Sequence, residues 1–187
     1  MKDKEVELKF VINEEIKKNV IDELKDAKYL GETHQIDTYY IPDFRDFEKN
    51  GETMECVRIR EDEKGIVLCY KKIHRDANPV YCDEYETKID DKKEMENIFF
   101  ALGFSVQMVI DKTRNSYLLG ELRFDFDSVK DLGELMEVEL KGENSSVEEI
   151  YSFVEKFGLT EKDVTYDGIQ KQMKEAMRRK GLWCKIK

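Results

Sequence analysis

Charged side chains occupy alternate positions in most of the strand-like runs of this chain. Glu5, Glu7 and Lys9 share one face of the run 4–12, opposite Val6, Leu8 and Phe10. Arg58 and Arg60 alternate with Val57 and Ile59, and Lys71 follows Cys69 by two positions. Glu84 and Glu86 flank Tyr85, while Lys112 and Arg114 flank Thr113. Arg123, Asp125 and Asp127 alternate with Phe124 and Phe126, and Glu137 and Glu139 alternate with Met136, Val138 and Leu140. Arg forks match anionic oxygens in pairs and Lys supplies point charge, so these cations could hold a polyanion. Glu5, Glu7, Glu137 and Glu139 come from the first and last strands, which become neighbours if the sheet closes. Crowded there, they would raise one another's pKa, and a hard divalent ion would relieve the repulsion. The rival reading pairs each carboxylate with a nearby Lys or Arg and needs no ion.

The elements that must position these residues are legible from hydrophobic period and turn chemistry. Eight strands are expected near residues 4–12, 34–41, 54–61, 66–73, 80–89, 106–115, 119–127 and 134–141. Asn13 reads as the cap of a helix running to about Ala27, and Asp90 or Asp91 as the cap of a second helix closed by Gly103. Ser146 and Glu149 read as a capping box opening a third helix that ends at Gly158. A fourth is expected from about Tyr166 to Lys180. The segment 42–53 is long and aromatic for a connection and reads as a flap. The fold class expected is α+β, a closed or nearly closed eight-stranded antiparallel barrel in one domain over 1–187, with amphipathic helices packed outside. About seven cations and nine carboxylates inside such a barrel cannot make a dry core, since unpaired buried charge costs several kcal/mol per group. They would line a wet tunnel holding ions and a polyanion. A half-open sheet whose charged faces meet solvent is the alternative.

Composition bounds the partners. Net charge is −10 over 187 residues, which argues against nucleic-acid binding while leaving room for a local basic pocket. No apolar run approaches the length of a membrane helix and the start lacks a signal-peptide core, so a soluble cytoplasmic protein with no membrane partner is expected. The four cysteines, Cys56, Cys69, Cys82 and Cys184, form no CxxC pair, which disfavours zinc by spacing. The first three could line the cavity or serve as small fillers. His34 and His74 have no triad partner by spacing, and a glycine-rich phosphate loop is lacking.

These motifs in order resemble the CYTH proteins, also called triphosphate tunnel metalloenzymes. Glu5-Val-Glu7-Leu-Lys9 is similar to the family's opening Glu-x-Glu-x-Lys signature. Gln35-Ile-Asp37-Thr-Tyr-Tyr40, Tyr70-Lys71, Asp83-Glu84-Tyr85-Glu86-Thr87, Lys112-Thr-Arg114, Asp127-Ser-Val-Lys-Asp-Leu-Gly133 and Glu137-Val-Glu139 follow in family order. Arg45-Asp-Phe47 and Cys56-Val-Arg58-Ile-Arg60 resemble the class IV adenylyl cyclase branch. The chain departs from the family's Lys-Gly at Lys71-Lys72, and from the branch's C-terminal segment at Thr165-Tyr166-Asp-Gly-Ile-Gln.

The resemblance implies a metal-dependent enzyme with Lys9, Arg58, Arg60, Lys71, Lys112 and Arg114 on the triphosphate. Mg²⁺ or Mn²⁺ would sit among Glu5, Glu7, Asp125, Asp127, Glu137 and Glu139. Lys71, Glu86 and Tyr166 are the candidate catalytic residues. The expected reaction is cyclisation of ATP to cyclic AMP and pyrophosphate, with a nucleoside pocket lined from 42–53 (Phe44, Phe47) and the last helix. The alternatives are hydrolysis of inorganic tripolyphosphate or thiamine triphosphate, and a non-catalytic polyphosphate sensor. The expected partners are thus a nucleoside or inorganic triphosphate and, at the protein level, a second copy in a homodimer.

Overall fold

A computed structural model describes residues 4–142, 146–165 and 169–179. The chain opens with two strand segments, β1 (Lys4–Glu5) and β2 (Glu7–Ile12), separated at Val6, then enters helix α1 (Glu14–Glu23). The long β3 (Lys28–Pro42) leads into a small hairpin of β4 (Glu48–Lys49) and β5 (Glu52–Thr53). β6 (Glu55–Asp62), β7 (Gly65–His74) and β8 (Tyr81–Ile89) form a meander before α2 (Lys92–Ala101). β9 (Phe104–Leu119), β10 (Leu122–Val129) and β11 (Gly133–Leu140) form a second meander, followed by α3 (Val147–Val154) and α4 (Ile169–Arg179).

The large sheet is antiparallel throughout, in the order β1-β8-β7-β6-β3-β9-β10-β11-β2. Its two edge members are consecutive pieces of the first strand. Glu5 pairs with Cys82 on one side, and Glu7 pairs with Glu139 on the other. Between them the Val6 carbonyl accepts from the Leu140 amide at 3.0 Å. The first strand thus closes the sheet on itself and leaves no free edge there, as a barrel requires. All eight expected strands are present. β3 and β9 run longer than the alternation suggested, because the extra residues Leu30 and Gln107 interrupt the period while the pairing continues from Lys28 to Pro42.

Helix starts follow the sequence in part. Asn13 accepts from the Ile16 amide at 2.8 Å and Asp91 from the Glu94 amide at 3.0 Å, so Asp91 rather than Asp90 is the cap. The capping box expected at Ser146 does not form: the Glu149 amide bonds the Ser146 backbone carbonyl at 3.1 Å, which occupies the donor the side chain would have taken. Gly103, at φ 82°, supplies the left-handed step that ends α2 before β9.

Two apolar layers cover the barrel's outside. Leu8, Phe10, Phe124, Phe126 and Val138 pack against Val20 of α1 and Ile150, Phe153 and Val154 of α3. Val57, Ile59 and Tyr40 pack against Phe99 of α2. Each fully buried side chain of this size contributes roughly 1.5–3 kcal/mol, enough to fix strand parity against a one-residue slip. The fourth helix is not part of this outer coat and lies instead at one mouth of the tunnel, where the last helix is expected to line a pocket. At one end of the barrel the inward positions Tyr39, Met108, Ile110, Val129 and Leu135 are apolar, and α4 lays Met173 on them. It therefore closes a mouth of the barrel. The segment 42–53 is a hairpin rather than an unstructured flap, because Phe47 is buried beside Tyr40 and Phe99 and Glu48 pairs with Lys174 of α4. No helix among the described residues is long and apolar enough to cross a membrane.

Candidate functional site: a charged tunnel

The inward faces enclose a cavity of about 1160 Å³. All six expected cations line it: Lys9 from β2, Arg58 and Arg60 from β6, Lys71 from β7, and Lys112 and Arg114 from β9. Glu5, Glu7, Asp125, Glu137, Glu139 and Glu86 line it too. Asp127 does not; it is fully buried behind the wall. Tyr166 lies outside the described residues, as does Cys184.

The charges are organised by three buried or nearly buried carboxylates. Asp127 accepts from Lys112 Nζ and from Arg114 Nε and Nη2, the last two at 2.6 Å. Arg114 also donates to Asp125 at 2.8 Å and to Glu137 at 2.6 Å. Asp37 on β3 takes the Arg60 fork at 2.7 Å on both oxygens, with Arg58 Nη1 at 3.4 Å. Glu137 also holds Lys9 at 2.9 Å. Asp127 and Asp37 thus hold the cations on the wall, and the ends of Arg58, Arg60, Lys71 and Lys9 remain at the cavity. Lys71 bridges Glu5 and Glu84, the latter at 3.2 Å.

These neighbours set the protonation states. Burial alone would neutralise Lys9, but Glu137 and Glu7 outweigh it and hold the ammonium above its usual range. Burial opposes ionisation of Glu137 and Asp37 as well, and Lys9 and Arg114 in the first case and Arg58 and Arg60 in the second push both well below the usual carboxylate range. Lys112 goes the other way: burial and the adjacent Arg114 bring it down to about 8 against the pull of Asp127. Glu139 is raised by burial, with Glu5 and Glu7 adding repulsion that Lys141, at 2.5 Å, does not cancel. Among the described side chains, Arg58 Nε and Gln35 Oε1 are buried polar atoms without a hydrogen-bond partner.

Glu5, Glu7 and Glu139 gather oxygen donors at one corner of the cavity, where Lys9 and Lys141 pair with two of them and the three carboxylates are not drawn together to ligating distance. Glu7 and Glu139 are directly cross-strand, Glu5 is on the same face two residues away, and like charges so placed repel. Burial is the main reason the Glu139 carboxyl is raised, and repulsion from Glu5 and Glu7 adds to it. Oxygen-only donors of this kind suit Mg²⁺ or Mn²⁺.

Sequence reasoning missed Asp37 and Gln170 as site residues, and set Glu84 on the inward face without giving it a role. Asp37 alternates with Gln35 and Tyr39, and the mixed polar and aromatic face of β3 concealed the pattern. Gln170 and Ile169 line the cavity from α4, which no local period could place there. The aromatic residues expected around a nucleoside do not line the cavity: Phe47 is buried in the layer beneath α2, and Phe44 is largely exposed, each set edge-on to Phe104 with centroids at 6.4 and 5.9 Å. The histidines serve locally, His34 beside Asp111 at 2.7 Å and His74 beside Asp83 at 2.9 Å.

Comparison with known proteins agrees with this architecture. A protein of Methanocaldococcus jannaschii named as a putative adenylate cyclase is 34% identical over 137 residues, 72% of this chain and 75% of that one. The solved structure of a Pyrococcus horikoshii protein superposes with a TM-score of 0.75 at 27% identity, covering 90% of this chain and 98% of the other. A Hippeastrum protein described as a putative adenylyl cyclase with dominant triphosphatase activity shares the fold at 16% identity, with a TM-score of 0.62 and 97% of each chain covered. The family model for the CYTH domain matches residues 3–168, and with the closed charged tunnel it places this chain in the CYTH family.

Proposed function

We propose that the tunnel binds a linear triphosphate along its cation wall and hydrolyses a phosphoanhydride bond. The observation that carries this is Arg58: its Nε is buried at the cavity with no partner, while Lys9, Arg60, Lys71, Lys112 and Arg114 surround the same space. A phosphate oxygen would satisfy that donor, whose isolation otherwise costs about 1–3 kcal/mol. Arg58 and Arg60 would grip phosphate as forks, Lys9 and Lys71 as point charges, and Lys112 and Arg114 from the floor held by Asp127. Glu5, Glu7 and Glu139 would hold Mg²⁺ or Mn²⁺, which when bound supplies charge against the phosphate oxygens and acidifies water. Asp125 and Glu137 serve mainly to hold Arg114 and Lys9. Glu86, half-exposed and held only loosely by Arg58 at 3.9 Å, would orient the attacking water and take its proton as the new P–O bond forms. Lys71 would stabilise the leaving oxygen as the bridging P–O bond breaks.

Cyclisation of ATP is the second reading, favoured by the Methanocaldococcus relative's name and extent of identity. It requires a nucleoside pocket, and the described tunnel wall offers Tyr39 as its one aromatic ring, packed beneath α4. Incubation with tripolyphosphate or ATP plus Mg²⁺ or Mn²⁺, followed by chromatography, separates the two. Orthophosphate from tripolyphosphate with ATP intact supports hydrolysis; cyclic AMP with pyrophosphate replaces it with cyclisation. Failure of both substrates to react, with tripolyphosphate still bound, would leave a sensor.

A further inference from the structure

Cys69, Glu84 and Glu86 converge on the wall next to the oxygen-only corner. Glu84 and Glu86 face inward from β8, and Cys69 on β7 is the direct cross-strand partner of Glu86. One ligand atom of each, the thiol sulfur and two carboxylate oxygens, lies within 4.8 Å of the other two. The Cys69 thiol donates to Glu84 Oε1 at 3.1 Å. Lys71 stands between this trio and Glu5, bonded to both sides, so the two donor sets are separate. A cysteine acting as filler would sit among apolar atoms; Cys69 is fully buried yet faces two carboxylates and is paired across strands with Arg58. Burial pushes its thiol up, with Glu84 adding to the effect, so it is no nucleophile.

We infer that Cys69, Glu84 and Glu86 form a second divalent-cation site in the tunnel, one that takes a borderline-soft ion such as Zn²⁺ rather than Mg²⁺ or Mn²⁺. A thiolate ligand selects zinc over the hard ions, and three protein donors leave a coordination position open to the cavity. On binding, the S–H bond breaks and a sulfur–metal bond forms. The proton leaves through the Glu84 carboxylate, to which it already points, and goes to solvent, so one proton is released per ion. Since Glu86 is also the base proposed for hydrolysis, an ion held here would withdraw that carboxylate from the water; the binding itself needs no assumption about which triphosphate the tunnel accepts.

The test uses full-length protein stripped with chelator and kept in excess Mg²⁺. It is titrated with Cd²⁺, a spectroscopic stand-in for Zn²⁺, and the ultraviolet thiolate-to-cadmium charge-transfer band is followed. One equivalent should bind with the band, Zn²⁺ should compete it away, and Cys69→Ser should abolish it. Cys56→Ser, Cys82→Ser and Cys184→Ser, made singly, should retain it. Glu86→Gln, at a half-exposed side chain outside the core, should weaken Cd²⁺ binding about tenfold or more. If Cys69→Ser fails to fold, Glu86→Gln decides. A band that survives Cys69→Ser, a band lost with Cys82→Ser, or unchanged affinity in Glu86→Gln would overturn the site.

Discussion

Replacing Asp127 by Asn should destabilise the ligand-free protein, because Asp127 is a counter-ion within the wall. Its side chain is fully buried, and it accepts one bond from Lys112 and two from Arg114, whose side chains are only 3% and 10% exposed. Asn keeps the size and one acceptor but removes the charge, leaving two cations in a low-dielectric pocket with Glu137 and Asp125 as the remaining anions. Removing one partner of a buried pair costs about 3–5 kcal/mol, since the survivor stays desolvated and unpaired. At about 2–4 °C per kcal/mol for a chain of this size, the melting temperature should fall by about 6–20 °C. Urea unfolding in chelator, at low and high salt, measures this. Salt should change the deficit little, because the pair is shielded from solvent ions. Were Asp127 chiefly a metal ligand crowded by other acids, its neutralisation in chelator would relieve repulsion and raise stability. An unchanged or higher urea midpoint would therefore refute the reasoning.

Other perturbations separate phosphate binding from ion binding. Arg58→Ala should weaken tripolyphosphate binding by about 1.5–3 kcal/mol in calorimetry with little loss of fold, whereas Arg60→Ala should also destabilise by stranding Asp37. Because Lys112 titrates at about 8 in the free protein, above that pH it is largely neutral, and a bound polyanion should recharge it. Tripolyphosphate binding at about pH 8–9 should therefore take up protons, and binding enthalpies that are identical in buffers of different ionisation heat would contradict this. Glu139 is raised above the ordinary carboxylate value, so its proton must leave before an ion binds. Mn²⁺ affinity should fall as pH drops through that raised value, and Glu139→Gln should remove the dependence and turnover while leaving the fold stable.

The strand period alone settled which residues share a face. Glu5, Glu7 and Lys9, or Lys112 and Arg114, are two positions apart, and alternation in a strand is a local property that needs no partner. The outward Phe124 and Phe126 were legible for the same reason, as were the Asn13 cap and the Gly103 stop, whose chemistry acts within a few residues. What lay beyond the sequence was every relation between distant strands. Lys9 meets Glu137 across 128 positions, and the pairing of Glu5 with β8 and Glu7 with β11 closes the barrel only because the first strand splits at Val6. The role of Asp127 as anchor for Lys112 and Arg114 depended on three strands settling into one register. For α4 the apolar stripe alone fits an outer coat as well as a mouth; the resemblance pointed to the mouth, and the apolar inward cluster around Ile110 at one end is what holds the helix there. Local chemistry chose the side chains for each face; burial and register, which are properties of the whole closed sheet, chose their partners.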